Sequence, residues 1–275
     1  MSEAARRMDV TPAAIAQQVR ALEKELQFRL VERAGRTVRP TQAGHVLAAN
    51  ARQLLRQVDN LKYLINTSPL AGELRLGAIN TALLSFLPLT LKKLSTQCPD
   101  LHVSIRSGHS SELISCLQRD ELDAVICIHP GFAFPKSLKW QVFRHEPLVL
   151  LSPSGLPIDD TRKVLRENPF IRYDRSLGGG KQAERFLVSL NVRPTEVVEL
   201  SSILAIALMV EAGLGVSIVP DIGSKLINRL DICTTRLEDE SERREIGILS
   251  QRNAVKSEVI DRLVDCYRTM TGLVD

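Results

Sequence analysis

The chain has 275 residues, of which 44% are hydrophobic and 25% charged, with a formal net charge of +4. That length supports one or two domains with a sizeable core, and the composition is that of a soluble globular protein. No early stretch joins a basic start to an apolar segment, and the longest apolar run, Ile203 to Val210, stops at Glu211, far short of a bilayer span. A cytoplasmic protein without membrane contact is therefore expected.

The positive charge is not spread evenly. Residues 1–66 hold eleven Lys and Arg against six Asp and Glu, a net +5 that leaves −1 for the remainder. Such asymmetry marks a candidate nucleic-acid-binding segment. Within it, Ser2 to Met8 can make a short helix with Ala4, Ala5 and Met8 turned inward. After a turn at Asp9 and Val10, Thr11 is placed to cap a second helix and Pro12 suits its first position. Ile15, Val19, Leu22 and Leu26 then recur at helical spacing and form one apolar face. Two helices joined by a short turn make a helix-turn-helix. The following segment, Leu30 to Pro40, reads as a small β-hairpin or wing around Ala34-Gly35, with Arg33, Arg36 and Arg39 along it.

Pro40-Thr41 ends the wing and opens a long helix to about Asn66. Leu47, Ala51, Leu54, Val58, Leu61 and Ile65 alternate at spacings of four and three, the pattern of a coiled-coil seam. A core-packing helix would give a similar stripe, but this one is long and has no apolar neighbour in sequence, which favours dimerisation. Ser68, Pro69 and Gly72 mark a linker.

From Glu73 strands and helices alternate. Strands are expected at Leu74 to Ile79, Val103 to Arg106, Ala124 to Ile128, Leu148 to Leu151, Phe170 to Tyr173, Gly215 to Val219 and Ile246 to Leu249. Helices are expected from about Leu83 to Gln97, Ser110 to Arg119, Lys181 to Leu190, Ile203 to Ala212, and from Lys256 to the end. This is the pattern of a doubly wound α/β sheet. In such a sheet ligands bind beyond the carboxyl ends of strands, where helix N-termini favour anions. That rule selects Asn80 and Thr81, Gly108 to Ser111 with His109 and Ser110, and Ile128 to Pro130 with His129.

Several of these runs resemble the LysR family of transcriptional regulators. Ala4-Ala5 and the run from Val10-Thr11-Pro12 through Gln17-Gln18-Val19-Arg20 to Leu26 resemble its second and third helices. Leu30-Val31-Glu32-Arg33 and Pro40-Thr41-Gln42-Ala43-Gly44 are similar to its wing and linker start. Gly72-Glu73-Leu74-Arg75-Leu76-Gly77, Leu87-Pro88, Leu122-Asp123-Ala124-Val125 and the run Glu211-Ala212-Gly213-Leu214-Gly215 to Pro220 resemble its sensor domain. The likeness spans essentially the whole chain. Thr11, Pro12, Ala13 and Ala16 stand where the family often shows Ser, Gln, Pro and a later Ser, whereas Gln18 and Arg33 match.

The resemblance implies an α/β protein in three parts. Residues 1–40 would be a truncated winged helix-turn-helix, 41–68 a linker and dimerisation helix, and 73–275 a bilobed effector domain resembling type 2 periplasmic binding proteins. Its first lobe would hold 73–144 and 246–275 and its second 145–245. The family pattern begins with one further helix, and Met1 falls inside what corresponds to the second. The face of Ile15, Val19, Leu22 and Leu26 is therefore expected to lack a packing partner, at about 1.5–3 kcal/mol per buried side chain.

The resemblance further implies binding to double-stranded promoter DNA at two half-sites by a homodimer or homotetramer, a contact with RNA polymerase, and control by a small, anionic effector. No cofactor is implied. On the reading helix, Thr11, Pro12, Ala13, Gln17, Gln18 and Arg20, with Lys24, are the groove candidates. Gln can pair with adenine, Arg with guanine, and Ala can touch a thymine methyl. Arg33, Arg36 and Arg39 would meet phosphates or the minor groove. Alone, the same residues read equally as a solvated helix face. The cleft of a bilobed module would add Arg172, Tyr173, Ser201 and Ser202. Thr81 and Ser110 read equally as ligand contacts or as plain helix caps, and Arg172 as a surface residue unless it is buried.

Three other classes compete. A solute-binding protein of a transporter would share the two lobes but carry a secretory signal and no basic helix-turn-helix. A degraded regulator would keep only ligand sensing and oligomerisation. For an enzyme, His45, His102, His109, His129 and His145 fall in no catalytic or metal-ligand spacing. Gly178-Gly179-Gly180-Lys181 lacks the hydroxyl residue of a phosphate loop and reads as a flexible turn. Cys98, Cys116, Cys127, Cys233 and Cys266 form no metal pattern and are expected to be reduced and mostly buried.

Overall fold

The computed structural model describes residues 2–35, 37–65, 70–131, 133–237 and 244–272. Backbone contacts divide the chain into two units, residues 1–65 and 66–275.

In the first unit, α1 (Ser2–Arg7) stops early because Asp9 takes a left-handed conformation, φ 51°. Met8 therefore falls outside the helix, and of the three residues expected to face inward only Ala5 is buried, while Ala4 and Met8 are exposed. α2 (Pro12–Leu26) starts as its sequence dictates: Thr11 Oγ1 accepts from the Ala14 amide at 3.2 Å and Pro12 takes the first turn. Its apolar face is only half covered. Ile15 is buried, but Leu22 and Leu26 are 40% and 37% exposed, and Phe28 beyond them 65%.

The wing consists of β1 (Val31–Ala34) and β2 (Thr37–Pro40), antiparallel with Ala34 opposite Thr37. Glu23 of α2 ties it down, accepting from the Leu30 and Val31 amides at 2.7 and 3.1 Å. Thr41 Oγ1 donates to the Arg29 carbonyl and accepts from the Gly44 amide, so the wing end and the start of α3 (Gln42–Ile65) share one hydroxyl. Gly44 permits this closeness, since a Cβ there would stand 2.0 Å from the Leu30 carbonyl oxygen.

The second unit holds two α/β lobes. In chain order it contains β3 (Gly72–Ala78), α4 (Asn80–Leu83), α5 (Leu87–Gln97), β4 (Leu101–Ser107), α6 (Ser110–Gln118), β5 (Ala124–Ile128) and β6 (Leu138–Glu146). It continues through β7 (Leu148–Pro153), α7 (Thr161–Glu167), β8 (Phe170–Tyr173), α8 (Gly178–Ser189), β9 (Glu196–Leu200) and α9 (Ile203–Glu211). β10 (Ser217–Pro220), β11 (Ile232–Arg236), β12 (Arg244–Gln251) and α10 (Ser257–Thr271) complete it. The first sheet runs β4-β3-β5-β12-β6, with β4, β3 and β5 parallel and β12 and β6 antiparallel to their neighbours. The second places β7 between β10 and β11, and the parallel pair β8-β9 joins it through a bridge from Phe170 to Val216.

Both sheets are mixed where the alternation of elements points to parallel strands, because β6, β7, β11 and β12 carry the chain back and forth between the lobes. β6, β9, β11 and α7 escape the hydrophobic pattern, since exposed residues interrupt their apolar ones. The helix expected over 83–97 begins only at Leu87, after the separate short α4, with Pro88 in the first turn of α5. Both faces of the second sheet are buried. Leu148, Leu150, Phe170 and Ile218 pack on one side, Val149, Leu151, Ile171 and Val219 on the other. In the first lobe, Arg75 of β3 and Lys256 before α10 converge on Asp123, at 2.5 and 2.8 Å.

The glycines at 178–180 are not a flexible turn. They form the first turn of α8. A Cβ at Gly180 would stand 1.9 Å from the Asp174 carbonyl oxygen, and one at Gly179 2.7 Å from Tyr173 and Pro220, so the helix can begin this close to β8 only without side chains.

Candidate functional site

In the first unit, Ala13, Gln17, Arg20 and Lys24 lie on the side of α2 opposite the buried Ile15, with Gln18 at its flank and Thr11 and Pro12 at its start, and none of these seven is buried. Gln27 closes α2 in the left-handed region, φ 59°, and donates from Nε2 to the Lys24 carbonyl. The Leu30 and Val31 amides bound to Glu23 hold its carboxyl below the usual carboxylate range. On the wing, Arg33 and Arg39 are exposed, and Arg39 Nε meets Glu32 Oε1 across the hairpin at 2.7 Å. Arg36 lies outside the described residues. On α3, Leu47 and Ala51 are partly buried within the unit, while Leu54 and Val58 are 63% and 47% exposed, with Val46 and Leu55 exposed beside them. The side chains of Leu61 and Ile65 lie outside the description.

In the second unit the strand ends gather most of the expected cleft residues. Asn80 opens α4 and is exposed, whereas Thr81 is buried. Neither Thr81 nor Ser110 is a helix cap. The positions before α4 and α6 are Ile79 and His109, and no side chain caps either helix. Ser110 Oγ instead accepts from the Ile128 amide at 3.2 Å, fastening the start of α6 to the end of β5. His129 anchors the next turn: its amide donates to the Glu245 carbonyl and its Nδ1 accepts from the Gly131 amide, which leaves the proton on Nε2. Its ring lies 5.2 Å from that of Trp140, whose indole Nε1 donates to Glu245 at 2.6 Å.

From the second lobe, Tyr173 ends β8 and is buried. The Ser176 hydroxyl and amide hold the Asp174 carboxyl below its usual range, and His109 of the first lobe adds a smaller push in the same direction. Ile128 also approaches the second lobe, since a Cβ on Gly178 would lie 3.3 Å from its Cδ1. Ser202 is a cap, accepting from the Ala205 amide at 3.3 Å, and Ser201 is exposed.

Arg172 is not a surface residue. It is 2% exposed, pairs with Glu196 and Glu184 at 2.5 and 2.8 Å, and lies over the Phe170 ring. Strand alternation puts it on the face opposite Tyr173, so these two do not line one wall.

Sequence reasoning passed over a cluster where the lobes join. Arg144 and Arg244 flank Glu146, and Arg144 Nη2 also donates to Ser85 Oγ and to the Ile222 carbonyl. Ser224 Oγ donates to the Leu84 carbonyl. A signal was present at one of them: Arg244 is a charged residue at the start of β12, whose other residues are mostly buried.

Among the described residues no group of three His, Cys, Asp or Glu is placed to hold a metal, and no helix is long and apolar enough to cross a membrane. Burial pushes the thiols of Cys98, Cys116 and Cys266 up, and that of Cys127 to about 12. These four are poor nucleophiles near neutral pH.

Residues 67–271 match the family model described as LysR substrate binding domain. Residues 1–45 match the one described as bacterial regulatory helix-turn-helix protein, lysR family. The uncharacterized HTH-type transcriptional regulator YnfL of Escherichia coli K12 is 31% identical over 226 residues, 79% of this chain and 75% of that protein. A full-length OxyR variant from Pseudomonas aeruginosa is similar with a TM-score of 0.70 at 25% identity, over 97% of this chain and 89% of that one. Full-length CbnR, solved as a complex with its target DNA, shares the fold with a TM-score of 0.67 at 20% identity, over 98% and 93% of the two chains.

Proposed function

The chain belongs to the LysR family, and on that premise we propose that it is a DNA-binding transcriptional regulator switched by a small molecule held between its two lobes. The observation that carries the reading is the outward face of α2, where Ala13, Gln17, Arg20 and Lys24 stand together, with Gln18 nearby and a basic hairpin following. Amide and guanidinium groups at that spacing match base edges in a major groove, and Arg33, Arg36 and Arg39 match phosphates. CbnR, a relative in fold, is seen on its target DNA.

The seam of α3, with Leu47, Ala51, Leu54, Val58, Leu61 and Ile65, supports a homodimer or homotetramer that reads two related half-sites. A contact with RNA polymerase would follow from its place at a promoter in the cytoplasm. The domain limits are 1–40 for the reading head, 41–68 for the linker helix and 73–275 for the sensor, whose second lobe spans 145–245. The effector contacts are Asn80, Thr81, His109, Ser110, Ile128, His129, Tyr173 and Ser201. Ser202 is kept as the cap of α9, and Arg172 as support behind β8. The molecule acts by binding and not by turnover. An effector that grips one arrangement of the lobes better than another shifts the population by that difference in affinity.

Selection of duplexes from a random library, followed by footprinting, tests the DNA half. Two related half-sites are expected, and failure to enrich any sequence would sink the reading. Calorimetric screening of metabolites tests the sensor half. A binder is expected whose affinity falls about tenfold or more in Thr81→Val, since a hydrogen bond to a buried hydroxyl is worth about 1–1.5 kcal/mol.

A further inference from the structure

Besides the strands that pass from one lobe to the other, the turn after α4 also ties the lobes together. Leu84 belongs to the first lobe by chain order, yet its side chain packs against the apolar cluster of the second, which includes Ile203, Ile222 and Ile227. Its carbonyl accepts from Ser224 Oγ at 2.9 Å, and Ser224 is 2% exposed. The next residue, Ser85, accepts at Oγ from Arg144 Nη2 at 3.3 Å, and the same nitrogen donates to the Ile222 carbonyl at 2.7 Å. Phe86 then turns back into the first lobe, with its ring centroid 5.6 Å from that of Phe143 and 4.9 Å from that of Tyr267.

Arg144 is itself fixed in place. Its Nε donates to Glu146 Oε1 at 2.9 Å and its guanidinium lies over the Phe86 ring, so the planar fork reaches Ser85 and Ile222 from a set position. α4, only Asn80–Leu83, is a stiff link between this turn and β3. The Ile79 amide before it donates to the Ile126 carbonyl of β5 at 3.1 Å, and Ser85 Oγ donates to the Thr81 carbonyl at 2.6 Å. One hydroxyl thus joins Thr81 to Arg144. A rotation of one lobe on the other must either drag the end of α4 or withdraw Leu84 from the second-lobe cluster and break the bonds to Ser224 and Ile222. Both the lost burial and the unpaired carbonyls oppose the second course.

We infer that the turn 84–86 is a strap that restrains the angle between the lobes and ties the position of Thr81 to that angle, with Ser85, Arg144 and Ser224 as its positioning residues. The inference rests on the regulator reading only in taking Thr81 as a cleft contact.

The test uses the full chain, with neither effector nor DNA. Hydrogen exchange is followed at the Ala82, Leu83, Leu84 and Ser85 amides, which bond within α4 and its turn. The interlobe distance is read between spin labels at Gln118→Cys and Lys163→Cys, exposed positions in the first and second lobes, in a Cys233→Ser background with labelled chains diluted among unlabelled ones. Ser224→Ala is expected to quicken the four amides roughly fivefold or more and to broaden the distance distribution, and Leu84→Ala to do both more strongly. Ser217→Ala is the matched comparison, since it removes a buried hydroxyl that donates to the Ile171 carbonyl at 2.7 Å inside the second lobe. It is expected to lower the melting midpoint while leaving α4 exchange and the label distance as in the wild type. Exchange and distance unchanged in Ser224→Ala and Leu84→Ala, or moved as much by Ser217→Ala, would overturn the inference. If Leu84→Ala does not fold, Ser224→Ala decides. Enrichment of a DNA sequence and the metabolite screen do not depend on these readouts, so the strap can fail while the regulator reading stands.

Discussion

Replacing Asp123 by Ala removes the one carboxylate on which β3, the approach to β5 and the start of α10 converge. Its side chain is 10% exposed, and it receives Arg75 Nη2 at 2.5 Å, the Arg75 amide at 2.8 Å and Lys256 Nζ at 2.8 Å. Breaking a buried ion pair by deleting one partner costs about 3–5 kcal/mol. Arg75 is 22% exposed and can recover part of its hydration, so the lower end of that range applies, about 3 kcal/mol. For a unit of this size each kcal/mol lowers the melting midpoint by about 2–4 °C, giving a drop of about 6–12 °C.

Burial alone would push the Asp123 carboxyl up, but the Arg75 side chain, Lys256 and the Arg75 amide outweigh it and hold the group below its ordinary value. A depressed carboxyl contributes stability that is present above its unfolded pKa and lost as pH falls through the folded one. The gap between wild type and Asp123→Ala should therefore be full at pH 7 and shrink as the pH falls below about 4. Melting curves followed by circular dichroism across pH measure both quantities. A loss under about 2 °C at pH 7, or a gap that does not narrow in acid, would refute the reasoning.

Gly180→Ala forces a methyl to within 1.9 Å of the Asp174 carbonyl oxygen and should cost about 1–3 kcal/mol or more in urea unfolding, whereas Gly178→Ala, facing Ile128 at 3.3 Å, should cost less. Glu23→Gln weakens the tie between α2 and the wing. Hydrogen exchange at the Leu30 and Val31 amides should quicken, and in the wild type the same quickening should come only as pH falls through the depressed Glu23 value. Arg20→Ala should relax base preference by about 1–3 kcal/mol at one position per half-site, while Arg39→Ala should weaken all sequences alike and lower the salt slope by about one. Leu54→Glu with Val58→Glu should shift the chain toward monomer in sedimentation without lowering the melting midpoint of the sensor, because both side chains are exposed within the chain.

The reading head was legible because its signals are local. Thr11 and Pro12 announce a helix start, Ala34-Gly35 a turn, and Thr41 a second start, and each acts within three residues of itself or on the adjacent hairpin. The cleft was legible only to the extent that strand ends are. Asn80, Ser110 and Ile128 follow from the alternation of strands and helices, but the job of each hydroxyl does not. Ser110 bonds to a residue eighteen positions away, and that partner is set by the packing of α6 on β5. Three glycines in a row have poor helix propensity and suggest a turn. They begin a helix because β8 lies against them, a constraint no window of neighbouring residues contains. Arg172 misled and Arg244 went unnoticed for the same reason: a charged residue in a strand signals exposure until its carboxylate partners, 12 to 98 residues away, are brought beside it.

Trp140 is the chain's only tryptophan, and its indole is held by Glu245, the neighbour of Arg244, with the His129 imidazole against its edge. Tryptophan emission from the untouched protein therefore originates at a single address, on the strand that enters the crossing and beside the loop that follows β5. Any event that alters the footing of His129 or Glu245 therefore changes the immediate surroundings of that indole. The molecule carries its own lamp at the doorway between its lobes.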